Sequence, residues 1–196
     1  MDMVDPRFDA DVFSVDQLIR PIGNLYRVRA NGQPVAFVRQ KRLAVKEEIA
    51  FHGDDHEGVE LFRVKARKVL ELGGSYDVTA SDGERIGTLE KVFGTSLLRS
   101  TWRVLDGEGQ EVARVQERSL PVALFRRIVD WLPFGELVPV IFHFTIDAGD
   151  RHLGDFTRAW GVRDAYTLDL SADQERRLDR RLGVALAVGL DALQSR

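Results

Sequence analysis

Apolar and polar residues alternate along short stretches of this chain, and turns that contain glycine separate the stretches. One pattern occurs four times: an aromatic residue, a β-branched residue two positions later, a glycine turn, and an apolar residue on the return. The copies are Tyr26-x-Val28 with Gly32 and Val35, Tyr76-x-Val78 with Gly83 and Ile86, Trp102-x-Val104 with Gly109 and Val112, and Phe144-x-Ile146 with Gly149 and Leu153. A period of two around such turns is typical of β-hairpins, so the chain is predicted to form a meander of hairpins.

Further strands are predicted between the hairpins and on either side of them. Their ranges are Asp11–Leu18, Ala44–His52, Val59–Leu70 and Val162–Leu170. The total is roughly twelve strands. Side chains alone fill a barrel of about eight strands, whereas a wider barrel leaves space inside. A helix about 10 Å across would fit that space.

The stretch after the last predicted strand has the pattern of such a helix. Ser171 and Gln174 have the spacing of a capping box, which predicts a helix over Ser171–Gln194. The residues from Leu182 to Leu190 are apolar on every side of the helix, which requires burial all round. Nine residues cannot cross a bilayer, which needs about 20. We therefore predict a mainly β protein, a closed barrel of roughly twelve strands that encloses this hydrophobic C-terminal helix.

One segment interrupts the β pattern. The residues from Leu120 to Leu132 have an amphipathic helical pattern, with Arg126 and Arg127 on the polar face and Phe125 and Trp131 among the apolar residues. Such a helix either covers one end of the barrel or lies in a membrane interface. Both interpretations stay open at the level of sequence. Phe125, Arg126, Arg127 and Trp131 are the candidate contacts with a membrane or a partner.

Composition limits the class of protein without giving a function. The chain has 196 residues, of which 44% are hydrophobic and 30% charged, as in one globular domain. Its net charge of −3 argues against nucleic-acid binding, which needs a concentrated basic surface. The absence of cysteine excludes disulfides and thiol catalysis. We expect residues 1–196 to form a single domain, with residues 1–10 as a flexible leader and no signal peptide.

Three segments resemble the LURP-one-related family, a branch of the tubby C-terminal-like and phospholipid scramblase superfamily found in plants and bacteria. They are residues 61–78, residues 86–104 and residues 177–193. The resemblance implies a twelve-stranded barrel around a C-terminal helix. It also implies phospholipid chemistry, because tubby-type domains bind phosphoinositides and scramblases are linked to calcium-dependent lipid movement. The chain lacks the scramblase cysteine cluster, and Asp147, Asp150 and Asp155 do not follow a calcium-loop pattern.

Catalytic motifs are missing from the sequence. It has no GxSxG, Walker A, GxGxxG or HExxH motif, so we expect no enzyme and no cofactor. His52 and His56 lie beside acidic residues, but the glycines around them predict a solvated hairpin tip rather than a metal site. His143 and His152 are interpreted as structural residues at different heights of one hairpin.

Alternating cations are the strongest candidate for a binding surface. Arg63, Lys65 and Arg67 occupy every second position of one predicted strand, and Arg39 and Lys41 do the same on an earlier strand. If the strands adjoin, the five cations form an outer patch suited to phosphate head groups. Alternatively, they only keep the barrel exterior soluble. The arginines before the apolar helix are expected to pair with Asp173, Asp179 and acidic strand ends, or alternatively to contact an anionic partner.

Our leading functional hypothesis is a non-enzymatic, cytoplasmic module that binds anionic phospholipid head groups, peripherally at the inner face of a membrane. The lipid-binding residues would be Arg39, Lys41, Arg63, Lys65 and Arg67. The alternative is a protein-interaction or regulatory scaffold, which would bind a protein partner or a second copy of itself.

Overall fold

The computed structural model describes residues 5–19, 24–40, 48–56, 58–67, 74–92, 101–118, 143–159 and 165–194. Within these ranges the chain forms twelve β-strands and one α-helix. The strands are β1 (Val12–Ile19), β2 (Asn24–Ala30), β3 (Gln33–Gln40), β4 (Glu48–His52), β5 (Glu60–Ala66), β6 (Ser75–Ala80), β7 (Arg85–Val92), β8 (Thr101–Asp106), β9 (Glu111–Glu117), β10 (His143–Ala148), β11 (Arg151–Ala159) and β12 (Ala165–Asp169). The helix is α1 (Arg180–Gln194).

The strands form one closed antiparallel barrel, as the sequence predicted. Each strand pairs with the strands before and after it in the chain, and β1 closes the ring against β12 with Phe13 opposite Leu168. The β2–β3 turn shows why the hairpins form at the predicted places. Asn31 and Gly32 have φ angles of 51° and 77°, the left-handed pair that a two-residue hairpin turn requires.

The two ends of the barrel differ. The connections β2–β3, β4–β5, β6–β7, β8–β9 and β10–β11 all lie at one end, which we call the turn end. Because β12 finishes there, the chain also enters α1 from the turn end, and Leu170 donates its backbone N–H to Asp11 at the start of β1. The helix therefore runs through the lumen from the turn end toward the opposite end.

The inward-facing side chains of the strands meet α1 in the core. Phe62 and Val64 of β5 and Trp102 and Val104 of β8 are buried, in agreement with the alternation in the sequence. Every residue of α1 from Leu182 to Leu190 is also buried. The predicted barrel around an apolar helix is therefore confirmed.

Small residues let the helix lie close to the wall. A Cβ atom at Gly87 of β7 would come within 2.9 Å of Leu182 Cδ1 and 2.2 Å of the backbone oxygen of Leu105. On the helix, a Cβ atom at Gly183 would lie 3.0 Å from a methyl carbon of Leu170. An added Cβ atom at either position would therefore force its neighbours to move. Glycine thus allows the short distance between helix and wall at these two points.

The helix begins at Arg180 and not at Ser171, so the predicted starting point was wrong. Residues 171–179 form turns, and Arg176 has a φ of 52°, which a right-handed helix does not accommodate. The Ser171 hydroxyl donates to Asp169 at 2.6 Å and does not cap a helix. The Asp173 carboxylate instead accepts the backbone N–H groups of Arg177 and Leu178, both at 3.0 Å.

Residues 5–10 also differ from the expected flexible leader. Pro6–Phe8 form a short 3₁₀ helix, and the Asp5 side chain accepts the backbone N–H of Arg7. The Phe8 ring is fully buried, with its centroid 6.5 Å from that of Phe13 and 5.6 Å from that of Phe62. The segment therefore contributes a core side chain at the turn end, a contact that depends on tertiary packing.

A buried ion pair anchors the start of α1. Arg180 Nη1 lies 2.7 Å from Asp173 Oδ2, and the two side chains are only 3% and 1% exposed. Arg180 Nη2 also contacts Asp11 Oδ1 at 2.7 Å. A buried charge is tolerated only when it is paired and hydrogen-bonded, so this site fixes the helix against β1 and the turns before it.

The predicted helix at 120–132 lies outside the described residues. None of the helices in the described part of the chain has the length and hydropathy needed to cross a membrane.

Truncating a helix side chain inside the barrel should destabilise the protein strongly. Leu186 is buried on α1, and we expect Leu186→Ala to lower the free energy of unfolding by about 2–5 kcal/mol. Val59 is 62% exposed, so Val59→Ala should change it by less than about 0.5 kcal/mol. Urea denaturation followed by circular dichroism measures both values. Equal midpoints for the two variants would contradict a core built around α1.

Removing the charge of Asp173 should be costly because it leaves Arg180 buried without its main partner. We expect Asp173→Asn to lower the free energy of unfolding by about 3 kcal/mol. The matched control is Asp179→Asn, which removes the partner of the more exposed Arg181 and should cost about 1 kcal/mol or less. Urea denaturation compares the free energies of unfolding of the two variants. An equal loss in Asp179→Asn would show that burial of the Arg180–Asp173 pair does not determine the cost.

Candidate functional site

The strand order brings the predicted cations together. Arg39 of β3 lies opposite Ala50 of β4, and Ala50 lies opposite Arg63 of β5. Arg39 and Arg63 are therefore two strand spacings apart, about 10 Å along the outer surface. Lys65 follows on β5, and Arg67 comes directly after that strand. We call the outer surface with Arg39, Arg63, Lys65 and Arg67 the basic face.

The basic face points into solvent because β5 alternates. Phe62 and Val64 face the core, whereas the side chains of Arg63, Lys65 and Arg67 are between 39% and 48% exposed. Lys41, the fifth predicted residue of this surface, lies outside the described residues. The structure thus brings four of the five predicted head-group residues onto one surface.

Carboxylates lie among these cations, and the sequence analysis did not identify them. Arg63 donates to both oxygens of Glu60, at 2.6 and 2.8 Å, and to Glu48 at 3.1 Å. Lys65 Nζ lies 3.7 Å from the second oxygen of Glu48. The hydrogen bond to Glu60 raises the pKa of Arg63 above its ordinary value. Glu48 belongs to the neighbouring strand, so only the strand register reveals its contact with the cations.

Arg67 belongs to a second network at the edge of the basic face. Its Nε atom donates to both oxygens of Asp77, at 3.0 and 2.9 Å. The Thr88 hydroxyl donates to Asp77 at 3.1 Å and accepts a 2.6 Å hydrogen bond from Arg85. Thr88 is completely buried although it lies on the outer side of β7, because these long side chains cover it.

A surface groove of about 570 Å³ lies beside the basic face. Arg63, Lys65 and Arg67 line it together with the hydroxyl residues Thr79 and Ser81 at the β6–β7 turn. Its volume is in the range of small-molecule sites. The groove therefore offers cations and hydroxyl donors to an anionic group, with the carboxylates of Asp77 and Asp82 in the same lining.

Other candidate residues from the sequence are the proposed membrane contacts and the histidines around the β4–β5 turn. Phe125, Arg126, Arg127 and Trp131 lie outside the described residues. His56 is on the β4–β5 turn, where the Asp54 carboxylate accepts the backbone N–H groups of His56 and Gly58 at 3.0 Å. In the described part of the chain, no three His, Asp or Glu side chains are arranged to hold a metal ion.

The arginines around the start of α1 are paired, as predicted for Asp173 and Asp179. Arg180 contacts Asp173, and Arg181 contacts Asp179 at 2.7 Å. Arg176 contacts Asp9 and also Asp11, the acidic residue where the predicted first strand begins. Arg177 contacts Glu175, which the sequence did not indicate. The contacts of Arg176 with Asp9 and of Arg180 with Asp11 tie the segment before the helix to the N-terminal residues.

His143 and His152 occupy different rungs of the β10–β11 hairpin, opposite Thr157 and Asp147 respectively. Both rings nevertheless contact one carboxylate, that of Asp155, at 2.7 and 3.1 Å. Sequence reasoning missed this shared partner because β11 has one extra residue, Leu153, where the register shifts between Ile146 and Asp147 of β10.

Comparison with known proteins agrees with the fold. No curated protein matches this sequence significantly. The sequence model of the LURP-one-related family, however, matches residues 35–191, which span β3 to α1 and hence most of the barrel. A barrel of twelve strands around a hydrophobic helix is consistent with the tubby-like superfamily to which that family is assigned. The protein therefore belongs to the LURP-one-related family.

Proposed function

We propose that this protein is a non-enzymatic module that binds anionic phospholipid head groups at a membrane surface through the basic face. The observation that carries the proposal is the position of Arg63, Lys65 and Arg67 along one groove, with Arg39 two strands away. Phosphate oxygens accept hydrogen bonds from guanidinium and ammonium groups, and the groove presents both.

Electrostatics sets the expected strength of binding. Each cation near an anionic membrane surface contributes about 1 kcal/mol, and screening limits this attraction to about 10 Å at moderate salt. A phosphate must also compete with Glu48, Glu60 and Asp77 for the same donors. The proposed binding is therefore reversible and sensitive to salt, as expected for a peripheral protein.

The place of action follows from the same proposal. The protein would be cytoplasmic and would bind the inner face of a membrane, where anionic lipids give a negative surface potential. Lys41, Phe125, Arg126, Arg127 and Trp131 are proposed as additional contacts on the strength of the sequence pattern. Membership of the LURP-one-related family supports a lipid-binding role through the tubby-like barrel.

Neutralising the groove cations should weaken vesicle binding. We expect the triple variant Arg63→Gln, Lys65→Gln, Arg67→Gln to lose about 3 kcal/mol of binding free energy, roughly a hundredfold in affinity. Co-sedimentation with anionic and neutral vesicles at low and high salt measures the effect. The wild type should bind only anionic vesicles, and high salt should release it.

A second triple variant controls for total charge. Arg103→Gln, Arg114→Gln and Arg151→Gln remove the same charge from β8, β9 and β11, away from the basic face. This control should keep most of the binding. If both triple variants lose affinity equally, binding depends on net charge rather than on the groove, and the proposed site is wrong.

Removing a competing carboxylate should strengthen binding. Glu48 contacts both Arg63 and Lys65, so Glu48→Gln should raise the affinity for anionic vesicles about fivefold. Glu111 has an equivalent role on β9, where it contacts Arg103 and Arg114. Glu111→Gln makes the same change in charge and is the matched control. An equal gain in both variants would contradict a site at the basic face.

A protein-interaction scaffold is the second candidate. The observation in its favour is the close mixture of charges on β4, β5 and β6, where Glu48, Lys65 and Asp77 lie side by side in one row. Mixed charges of this kind suit a polar protein interface, where they determine partner choice. Sedimentation velocity with and without detergent separates the two candidate functions. A discrete dimer whose sedimentation coefficient does not change with detergent favours the scaffold.

A further inference from the structure

The β10–β11 hairpin carries four titratable side chains in contact with each other. His152 Nδ1 lies 2.9 Å from Asp147 Oδ1, and His152 Nε2 lies 3.1 Å from Asp155 Oδ2. His143 Nε2 lies 2.7 Å from the other oxygen of Asp155. We call His143, Asp147, His152 and Asp155 the histidine clasp. Its contacts join both strands of the hairpin across the bulge that follows Ile146.

The contacts of His152 require a particular protonation state. Both of its ring nitrogens face carboxylate oxygens, and an ionised carboxylate only accepts hydrogen bonds. A neutral imidazole has one N–H group and can donate to only one of the two aspartates. The imidazolium form has two N–H groups and satisfies both. The geometry of the histidine clasp is therefore that of a protonated His152.

The electrostatic surroundings act in the same direction. The hydrogen bond to Asp147, with that to Asp155, raises the pKa of His152 above 6.5 although partial burial opposes the shift. Burial alone would raise the pKa of Asp155, but the hydrogen bonds from His143 and His152 hold it below 3.8. The two shifts favour an ion pair between His152 and its aspartates near neutral pH.

Charged groups from the neighbouring elements do not replace these contacts. On β9, Arg114 lies opposite Asp147 but contacts Glu111 at 3.0 Å. On β12, Asp169 lies opposite Asp155 and accepts from Ser171. Within the hairpin, Arg151 contacts Glu175 at 2.6 Å. Arg177, which lines a groove beside Asp147, contacts Glu175 at 2.8 Å.

We propose that the histidine clasp is a proton-operated switch that holds the tip of the β10–β11 hairpin closed when His152 is protonated and releases it when His152 is neutral. Release leaves His152 with one hydrogen bond instead of two. The Asp147 carboxylate, which lines a groove with Glu111 and Arg177, then loses the positive charge of its imidazolium partner. The switch is independent of the proposed lipid site, which lies on β3–β5.

The tip of the hairpin also affects the segment before α1. Arg151 starts β11, directly after the turn, and contacts Glu175 in the turns that precede the helix. Glu175 and Arg177 share this contact region. Opening of the hairpin tip therefore loosens a support of the segment that carries Asp173, and so connects protonation of one surface histidine to the anchor of the central helix.

The sign of the pH dependence follows from the raised pKa of His152. Its stabilising contribution is complete below the unfolded value of 6.5 and disappears as the pH rises through the higher folded value. The lowered pKa of Asp155 makes its contribution complete above 3.8 and lost as the pH falls through the folded value. The histidine clasp is thus closed below pH 6.5 and opens as the pH rises through the higher folded pKa of His152.

Titration of the histidine rings by NMR tests the protonation state directly. The ordinary imidazole pKa of 6.5 is the reference value. We expect the titration midpoint of His152 to lie above 6.5, and Asp147→Asn to lower it, since the amide keeps the shape of the carboxylate but not its charge. A His152 midpoint at or below 6.5 would overturn the proposal.

Hydrogen exchange measured by mass spectrometry tests the opening. Peptides that cover 143–159 should lose about three- to tenfold in protection factor between pH 6 and pH 8, while peptides that cover 101–118 stay constant. In the His152→Asn variant, the protection factors of peptides 143–159 should equal the wild-type value at pH 8, at both pH 6 and pH 8. The control His56→Asn should behave as the wild type. Constant wild-type protection, or a pH response that persists in His152→Asn, would show that the clasp is only structural.

Discussion

Filling the lumen is the constraint on which this structure depends. Twelve strands enclose more space than their own inward side chains can occupy, and an empty lumen would lose the dispersion contacts that stabilise a core. Helix α1 fills the space only because it is apolar on all sides and narrow at Gly183, Ala185 and Ala187. The closed ring, the glycine at position 87 and the buried anchor at Arg180 all serve the close fit of helix and wall.

The predictable part of the fold is the part encoded by local patterns. Alternation identifies strands such as β5, and pairs such as Asn31-Gly32 identify turns, because both depend on neighbours in sequence. The uninterrupted apolar run identifies α1. Its starting point was missed because Ser171 and Gln174 have the spacing of a capping box, whereas Asp173 between them is a buried acceptor for the backbone N–H of Arg177 and for the Arg180 side chain. Phe8 was missed because its burial depends on Phe13 and Phe62.

In the candidate site, too, local patterns predict some features and contacts between distant residues determine the others. Strand periodicity places Arg63 and Lys65 on one outer face, and a meander makes β3, β4 and β5 adjacent. The contact of Glu48 with Arg63 and Lys65 depends on register between strands, and local periodicity does not determine register. The shared contact of His143 and His152 with Asp155 depends on a bulge, which no turn residue announces. The two sites lie on opposite sides of the ring and do not share residues.

Chain order has a consequence for how the protein is made. The helix that fills the lumen follows all twelve strands, and β1 finds its second partner only in β12. During synthesis the hairpins emerge in sequence, each stabilised only by its neighbours, and the apolar faces of the first strands have no core to join. The ring can close only after β12, which ends at Asp169, has left the ribosome, and the lumen is filled only after residue 190 has followed. Until then, the unfilled apolar faces and the unpaired edge of β1 are open to association with other nascent chains.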